Sequence, residues 1–122
     1  METNRALLVA GTILLAASAL MGFVQHHARG QTEAAARWRV VHAGGTAGAV
    51  QLLALTAIWS RLALPGAASA LLAAGLIAAT WAFFLGPLAR ALGHARTATA
   101  INLCGGAVAL PAYLALPLAL WA

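Results

Sequence analysis

Four long apolar stretches, separated by short polar segments, run along the chain. They cover about 6–25, 40–60, 67–88 and 98–122, and each has the roughly 20 residues that a helix needs to cross a 30 Å hydrocarbon core. The turn Leu64-Pro65-Gly66 is so short that the second and third helices must be antiparallel neighbours. The pattern predicts an all-α membrane protein in which residues 1–122 form a single antiparallel four-transmembrane-helix bundle.

The composition places the chain in a bilayer. Hydrophobic residues make up 63% and charged residues 7%, against roughly 25% charged in a soluble domain. The seven arginines stand at the edges of the apolar stretches and form no continuous basic face, so we predict contacts with lipid headgroups and no nucleic-acid partner. Five of them lie in the first and third connections, which the positive-inside rule places in the cytoplasm.

His42 is the one histidine that lies within, or at the edge of, a predicted span. A neutral imidazole is a good ligand for haem iron, and an ionisable group inside a membrane suggests a function. The alternative is a histidine that only hydrogen-bonds to a carbonyl group on the next helix. His26, His27 and His94 lie in polar connections, where headgroup or water contacts are the simpler interpretation.

Small residues follow His42 on its own helical face. Gly45, Thr46 and Ala49 stand three, four and seven positions later, so this face stays narrow for two turns and offers room for the edge or plane of a porphyrin. Gly44 and Gly48 also form a small-xxx-small pattern, which is typical of close packing between membrane helices. The sequence leaves both interpretations open.

The residue types that the sequence lacks limit the reactions that its side chains can catalyse. The chain has no Asp and no Lys, and neither Glu2 nor Glu33 falls in a predicted span. The spans therefore lack a carboxylate for general acid–base catalysis and a charged relay for ion transport. If the protein is an enzyme, a bound cofactor is expected to supply its reactive group.

Several of these features occur together in one known group. Trp38 stands four residues before His42, glycines follow it, and Leu110-Pro111-Ala112-Tyr113-Leu114 lies in the fourth span. Together they resemble bacterial styrene oxide isomerase. The stretch from His42 to Trp59 is also similar to hydroxylaminobenzene mutase. Both are small four-helix membrane isomerases.

The resemblance implies a cofactor and a reaction. In styrene oxide isomerases the histidine that matches His42 is the axial ligand of haem b, which is held between the subunits of a homotrimer. Ferric iron there acts as a Lewis acid on an epoxide, which rearranges to an aldehyde. The resemblance therefore implies a multi-pass protein of the bacterial inner membrane, with His42 as the iron ligand and with Trp38, Gly45 and Gly48 beside the haem.

Two positions depart from the family pattern. The family has an asparagine six residues after the ligand, where this chain has Gly48, and its tyrosine of the third span falls at Phe84. Those two polar groups help to hold the substrate oxygen. The residues that remain to supply a hydrogen bond are Thr46, Asn102 and Tyr113, and packing or helix bridging is the alternative for each. Trp81 and Phe84 are expected to be apolar walls of a substrate pocket.

Three functions are consistent with these residues. The first is a haem-dependent isomerase that takes a small apolar epoxide from the bilayer, or in a near variant an arylhydroxylamine. The second is a non-catalytic haem protein for electron transfer or sensing. The third is a cofactor-free membrane subunit or small transporter, in which the glycines only pack helices.

Overall fold

A computed structural model of the chain describes residues 2–62 and 64–121, and within them every regular element is helical. Each of the four long α-helices is apolar and long enough to cross a membrane. This confirms the predicted all-α transmembrane fold. The helices are α1 (Glu2–His27), α2 (Thr32–Ile58), α3 (Gly66–Ala91) and α4 (Ala95–Trp121), with 3₁₀ turns at Ala28–Gly30 and Trp59–Arg61.

The helices extend beyond the predicted spans. α2 begins at Thr32, so the polar residues before Trp38 belong to the same helix as the second predicted span. The predicted end of the fourth span at residue 122 lies outside the described residues.

Pro87 lies inside α3, which continues past it to Ala91. Proline removes one helical hydrogen bond, the bond to the carbonyl four residues earlier, which here belongs to Phe83. That carbonyl faces α2 at Gly44, where an added Cβ would lie 3.5 Å from the oxygen. The freed carbonyl is therefore covered by protein, which is the condition for proline inside a membrane helix.

The end of α3 is set by Gly93. This glycine has φ of 90°, a left-handed conformation that glycine adopts without a steric penalty. The amide of Gly93 donates to the Arg90 carbonyl at 3.1 Å and the amide of His94 donates to the Ala89 carbonyl at 2.8 Å. The two bonds form a Schellman motif, and the chain then reverses directly into α4.

The four helices form two hairpins. α1 packs along α2 and α4 packs along α3, and contact between α2 and α3 joins the two pairs. Small residues bring the helices of each pair together: Gly11 of α1 meets Leu53, and Gly105 of α4 meets Ala82. Large apolar side chains such as Leu71 and Leu103 remain exposed on the outside, where lipid would cover them.

Candidate functional site

His42 lies on the face of α2 that packs against α1. Its Nδ1 atom is 2.7 Å from the backbone carbonyl oxygen of Ser18. A carbonyl oxygen only accepts hydrogen bonds, so Nδ1 carries the proton and donates it. The unprotonated nitrogen of the neutral ring is then Nε2, and its lone pair is available to a metal ion or to a hydrogen-bond donor.

Ser18 ties this part of α1 to α2 by its side chain as well. Its hydroxyl donates to the backbone carbonyl of His42 at 2.7 Å and lies 2.7 Å from the hydroxyl oxygen of Thr46. Because the single proton of the Ser18 hydroxyl goes to the carbonyl, Thr46 is the donor in the second bond. Ser18 is fully buried, and these bonds satisfy the polar groups that it brings into the membrane.

Gly22 makes room for the imidazole. A Cβ at this position would lie 2.9 Å from Cε1 and 3.0 Å from Nδ1 of His42, closer than carbon and ring atoms can approach. Gly22 stands one turn after Ser18 on α1, so both residues face the ring. Together they fix the position of the imidazole, which remains only partly buried.

Side chains of neighbouring helices fill the space beside Gly45 and Gly48, which follow His42, in this protomer. An added Cβ on Gly45 would lie 2.7 Å from Cδ2 of Phe84 and 3.0 Å from the Ser18 side chain. Gly48 faces the methyl group of Thr80 in the same way. These contacts are the small-residue packing that the sequence left open as an alternative, and within one protomer they fill the space beside Gly45 and Gly48.

The structure brings only some of the predicted site residues together. Thr46, Gly45 and Phe84 lie around His42 and Ser18. Trp81 stands edge-on to Phe84, with ring centroids 6.0 Å apart. Phe84 belongs to the hydrophobic core, and Trp81 packs partly buried against it.

The other predicted residues lie elsewhere. Tyr113 of α4 donates to the side-chain oxygen of Gln51 on α2 at 2.9 Å, and Asn102 packs against Gly86 of α3. Gln51 follows His42 by nine positions, half a turn away around α2. Within one protomer Tyr113 therefore lies away from His42, and Asn102 lies against α3. Trp38, one turn before His42, packs partly buried against the core.

A comparison with known protein families classifies the chain. The family model of styrene oxide isomerases matches residues 3–122, nearly the whole chain. The chain belongs to the styrene oxide isomerase family. It is therefore a multi-pass member of a family of membrane isomerases. The searches of curated proteins and of solved structures gave no match.

This styrene oxide isomerase family member has two cavities that His42 does not line. The larger, about 470 Å³, is an apolar groove between α3 and α4 whose walls include Leu72, Val108 and Pro111. The smaller, about 320 Å³, lies among α2, α3 and α4 and has arginine side chains in its walls. Trp81 and Phe84, the expected pocket walls, line neither cavity.

No cluster of three or more His, Cys, Asp or Glu side chains suited to a metal ion occurs in residues 2–62 and 64–121. His27 bonds by Nδ1 to the Phe23 carbonyl at 3.0 Å, and its ring stacks near those of Phe23 and His26. His94 is exposed in the connection between α3 and α4. Of the four histidines, His42 alone is held by a second helix through its ring nitrogen.

The sequence did not connect Ser18, Gly22 or Gln51 with a functional site. A signal for the first two was present, because Gly11, Ser18 and Gly22 are spaced by seven and four residues and so share one face of α1. That spacing indicates a packing face. It does not show which residue of α2 the face would meet.

Proposed function

We propose that the protein is a haem b-dependent isomerase of the bacterial inner membrane that converts a small apolar epoxide into a carbonyl compound. The observation that carries the proposal is the bond from Nδ1 of His42 to the Ser18 carbonyl. Histidines that bind metals almost always donate their other ring N–H to a carboxylate, a backbone carbonyl or water. Membership of the styrene oxide isomerase family supports the reaction class.

The donor set suits haem. The macrocycle brings four nitrogen ligands of its own, so one protein nitrogen is enough, and His42 offers Nε2. A cluster of several protein ligands, as a bare metal ion needs, does not occur in the described residues. His42, with Trp38 one turn before it on the same face, would hold the group.

The position of the ring favours a shared cofactor. The side chains of Ser18, Phe84 and Thr80 fill the space beside Gly45 and Gly48. The His42 ring, in contrast, is only partly buried. His42 would therefore hold the group at a side of the α1–α2 hairpin that one protomer does not fully enclose, where a second copy of the chain could cover it. We extend the proposal to a homo-oligomer, and the family resemblance favours a trimer.

The reaction needs little from the side chains. Bound ferric haem supplies a Lewis acid for the epoxide oxygen. The rearrangement breaks one C–O bond of the epoxide, and a hydrogen moves with its bonding electrons to the neighbouring carbon, so the carbonyl forms without net redox. No base is required, which agrees with a chain whose two glutamates lie in the first turns of α1 and α2.

The chain's own residues position the ligand and exclude water. The Ser18 carbonyl holds the proton of the neutral ring on Nδ1, which leaves Nε2 as the nitrogen with the lone pair. The Ser18 hydroxyl donates to the His42 carbonyl and the Thr46 hydroxyl donates to Ser18, so neither competes with the ring for its carbonyl partner. The apolar outer surface lets an apolar epoxide arrive from the bilayer, while bulk water stays at the headgroups.

The test is to titrate the detergent-purified protein with haemin and to record its absorption in the oxidised and reduced states. We expect a Soret band that saturates at a fixed haem-to-chain ratio. The loaded protein is then given aryl and alkyl epoxides and arylhydroxylamines, and products are identified by gas chromatography beside free haemin in the same detergent. A protein that stays colourless, or a loaded protein that forms no more carbonyl product than free haemin, would contradict the proposal.

Gly22→Ala tests whether the position of the ring matters for the haem. The added methyl group would overlap Cε1 and Nδ1 of His42, so the ring must move and the bond to the Ser18 carbonyl must lengthen. We expect the haemin affinity to fall by about 10- to 100-fold, the range for lost outer partners of a metal ligand. Titration at the Soret maximum measures the affinity.

The matched control is Gly106→Ala. Gly106 also lies inside a transmembrane helix, but an added Cβ there meets nothing within 4 Å. Both changes raise intrinsic helix propensity by about 1 kcal/mol, so propensity does not distinguish them. Equal haemin affinities in the two variants would show that haem binding does not depend on the position of the His42 ring beside Gly22.

A further inference from the structure

The smaller cavity combines positive charge with apolar walls. Arg37 and Val40 of α2, Pro87, Arg90 and Ala91 of α3, and Asn102 of α4 line its volume of about 320 Å³. Three helices therefore contribute to one pocket, and its polar groups are two guanidinium groups and one amide. All of them except the amide oxygen are hydrogen-bond donors, and both ionisable groups are cations.

The pocket lies at the end of the bundle that carries most of the arginines. Arg37 is near the start of α2, Arg90 is near the end of α3, and the connections between α1 and α2 and between α3 and α4 are on this side. Both arginines are exposed. Because both arginines stand near the ends of apolar helices, we expect the pocket at the depth of lipid headgroups. Arg37 stands about 7.5 Å along α2 from His42 at 1.5 Å per residue.

The arginines have no carboxylate in this pocket. Arg37 Nε lies 3.5 Å from the backbone carbonyl oxygen of Glu33, and the two glutamates of the chain do not line the cavity. Asn102 packs on Gly86, where an added side chain would overlap its amide. Gly86 thus lets the amide of α4 lie close against α3, beside Arg90.

We propose that this pocket binds the phosphate group of an anionic phospholipid. Guanidinium groups form paired, charge-assisted hydrogen bonds with phosphate oxygens, and basic pockets between membrane helices bind anionic headgroups. Free phosphate offers the same oxygens, but Val40, Pro87 and Ala91 give the pocket an apolar wall that suits the glycerol and first methylene groups of a lipid.

The site is independent of the proposed isomerase activity. Arg37 precedes His42 by five positions, which turns it about 140° around α2. His42 faces Ser18 of α1, whereas Arg37 faces α3 and α4. A failure of lipid binding would leave the haem proposal untouched, and a colourless protein would leave the lipid proposal untouched.

The test is native mass spectrometry of the delipidated protein titrated with phosphatidylglycerol in detergent, beside Arg37→Gln/Arg90→Gln. We expect the wild type to retain one tightly bound phosphatidylglycerol per chain. The double variant should weaken that binding about 25-fold, from roughly fivefold for each guanidinium group near a lipid phosphate.

The control variant is Arg29→Gln/Arg96→Gln. It removes the same charge from the same end of the bundle, but neither arginine lines the pocket, so we expect a change within about twofold. Equal weakening in both double variants would overturn the proposal in favour of diffuse attraction. Displacement of the lipid by millimolar inorganic phosphate would also overturn it, because the occupant would then be free phosphate.

Haem carboxylates are the remaining source of anionic oxygens. The same two double variants are therefore titrated with haemin. Unchanged haemin affinity in Arg37→Gln/Arg90→Gln supports a phospholipid as the occupant of the pocket. A loss of haemin affinity in that variant with phosphatidylglycerol still retained would overturn it.

Discussion

His42→Ala is expected to abolish stable haem binding and, with it, the proposed isomerase activity. Loss of a partner that only orients a metal ligand lowers affinity by 10- to 100-fold. Loss of the ligand itself should therefore lower haemin affinity by at least about 100-fold. The measurement is haemin titration followed at the Soret band, together with the rate of carbonyl formation from the epoxide that the wild type accepts.

The fold should survive this change. Ser18 and Thr46 remain bonded to each other, and the Ser18 hydroxyl still has the backbone carbonyl at position 42 as an acceptor. His94→Ala is the control, because His94 is exposed in the connection between α3 and α4 and should bind haemin as the wild type does. Both variants should unfold thermally within a few degrees of the wild type.

Chemical rescue separates ligation from packing. His42→Gly leaves space beside Gly22 for a free imidazole, which should restore the Soret band when it is added in excess. A protein that had only lost its helix packing would not regain haem in this way. If His42→Ala keeps its Soret band and its activity, His42 is not the ligand, and its bond to Ser18 is only a contact between α1 and α2.

The fold could be predicted from the sequence because a bilayer permits few solutions. An apolar stretch of about 20 residues must satisfy its own backbone, and a helix is the simplest way to do so. Hydropathy reports the apolar part of a helix and not where its hydrogen bonds end. The segment from Thr32 to Arg39 is polar, yet it is the start of α2.

The continuation of α3 past Pro87 shows the same limit of local sequence. The cost of proline in a helix depends on what happens to the carbonyl that it frees. That depends on α2, since Gly44 lies against the Phe83 carbonyl. Local sequence cannot show such a contact between two helices.

His42 could be singled out from the sequence because it is a rare polar group in an apolar stretch. Its partner could not be identified, because the rotation and height of α1 against α2 decide whether Ser18 or another residue meets the ring. The same limit applies to Tyr113. Its partner Gln51 is a polar residue near the middle of α2, but nothing in the two local sequences joins them.

Gly48 is the position at which packing and cofactor binding make opposite predictions. Gly48→Ala would place a methyl group against the methyl group of Thr80. Thr80 is buried, and its hydroxyl donates to the Leu76 carbonyl at 2.6 Å, so its methyl group has little freedom to move. Overpacking of this kind costs about 1–3 kcal/mol, more than the roughly 1 kcal/mol that a helix gains from alanine.

Thr80→Ser should relieve the overlap. Serine keeps the hydroxyl that bonds to Leu76 and removes the methyl group that meets position 48. We therefore expect Gly48→Ala/Thr80→Ser to be more stable than the sum of its two single changes predicts, with a coupling free energy of about 1–2 kcal/mol, typical of residues in direct contact. Reversible unfolding in detergent, followed by circular dichroism, measures the four corners of the cycle.

Gly75→Ala is the matched control for this cycle. Gly75 also faces a neighbouring helix, but an added Cβ would lie 3.5 Å from the Ala112 side chain, an ordinary contact distance, so stability should stay the same or rise. Additive free energies in the Gly48 and Thr80 cycle would mean that the two side chains do not meet in the membrane. If Gly48→Ala instead lowers haemin affinity while the free energy of unfolding is unchanged, Gly48 faces the cofactor. The helices around it must then lie further apart in the assembly than in this protomer.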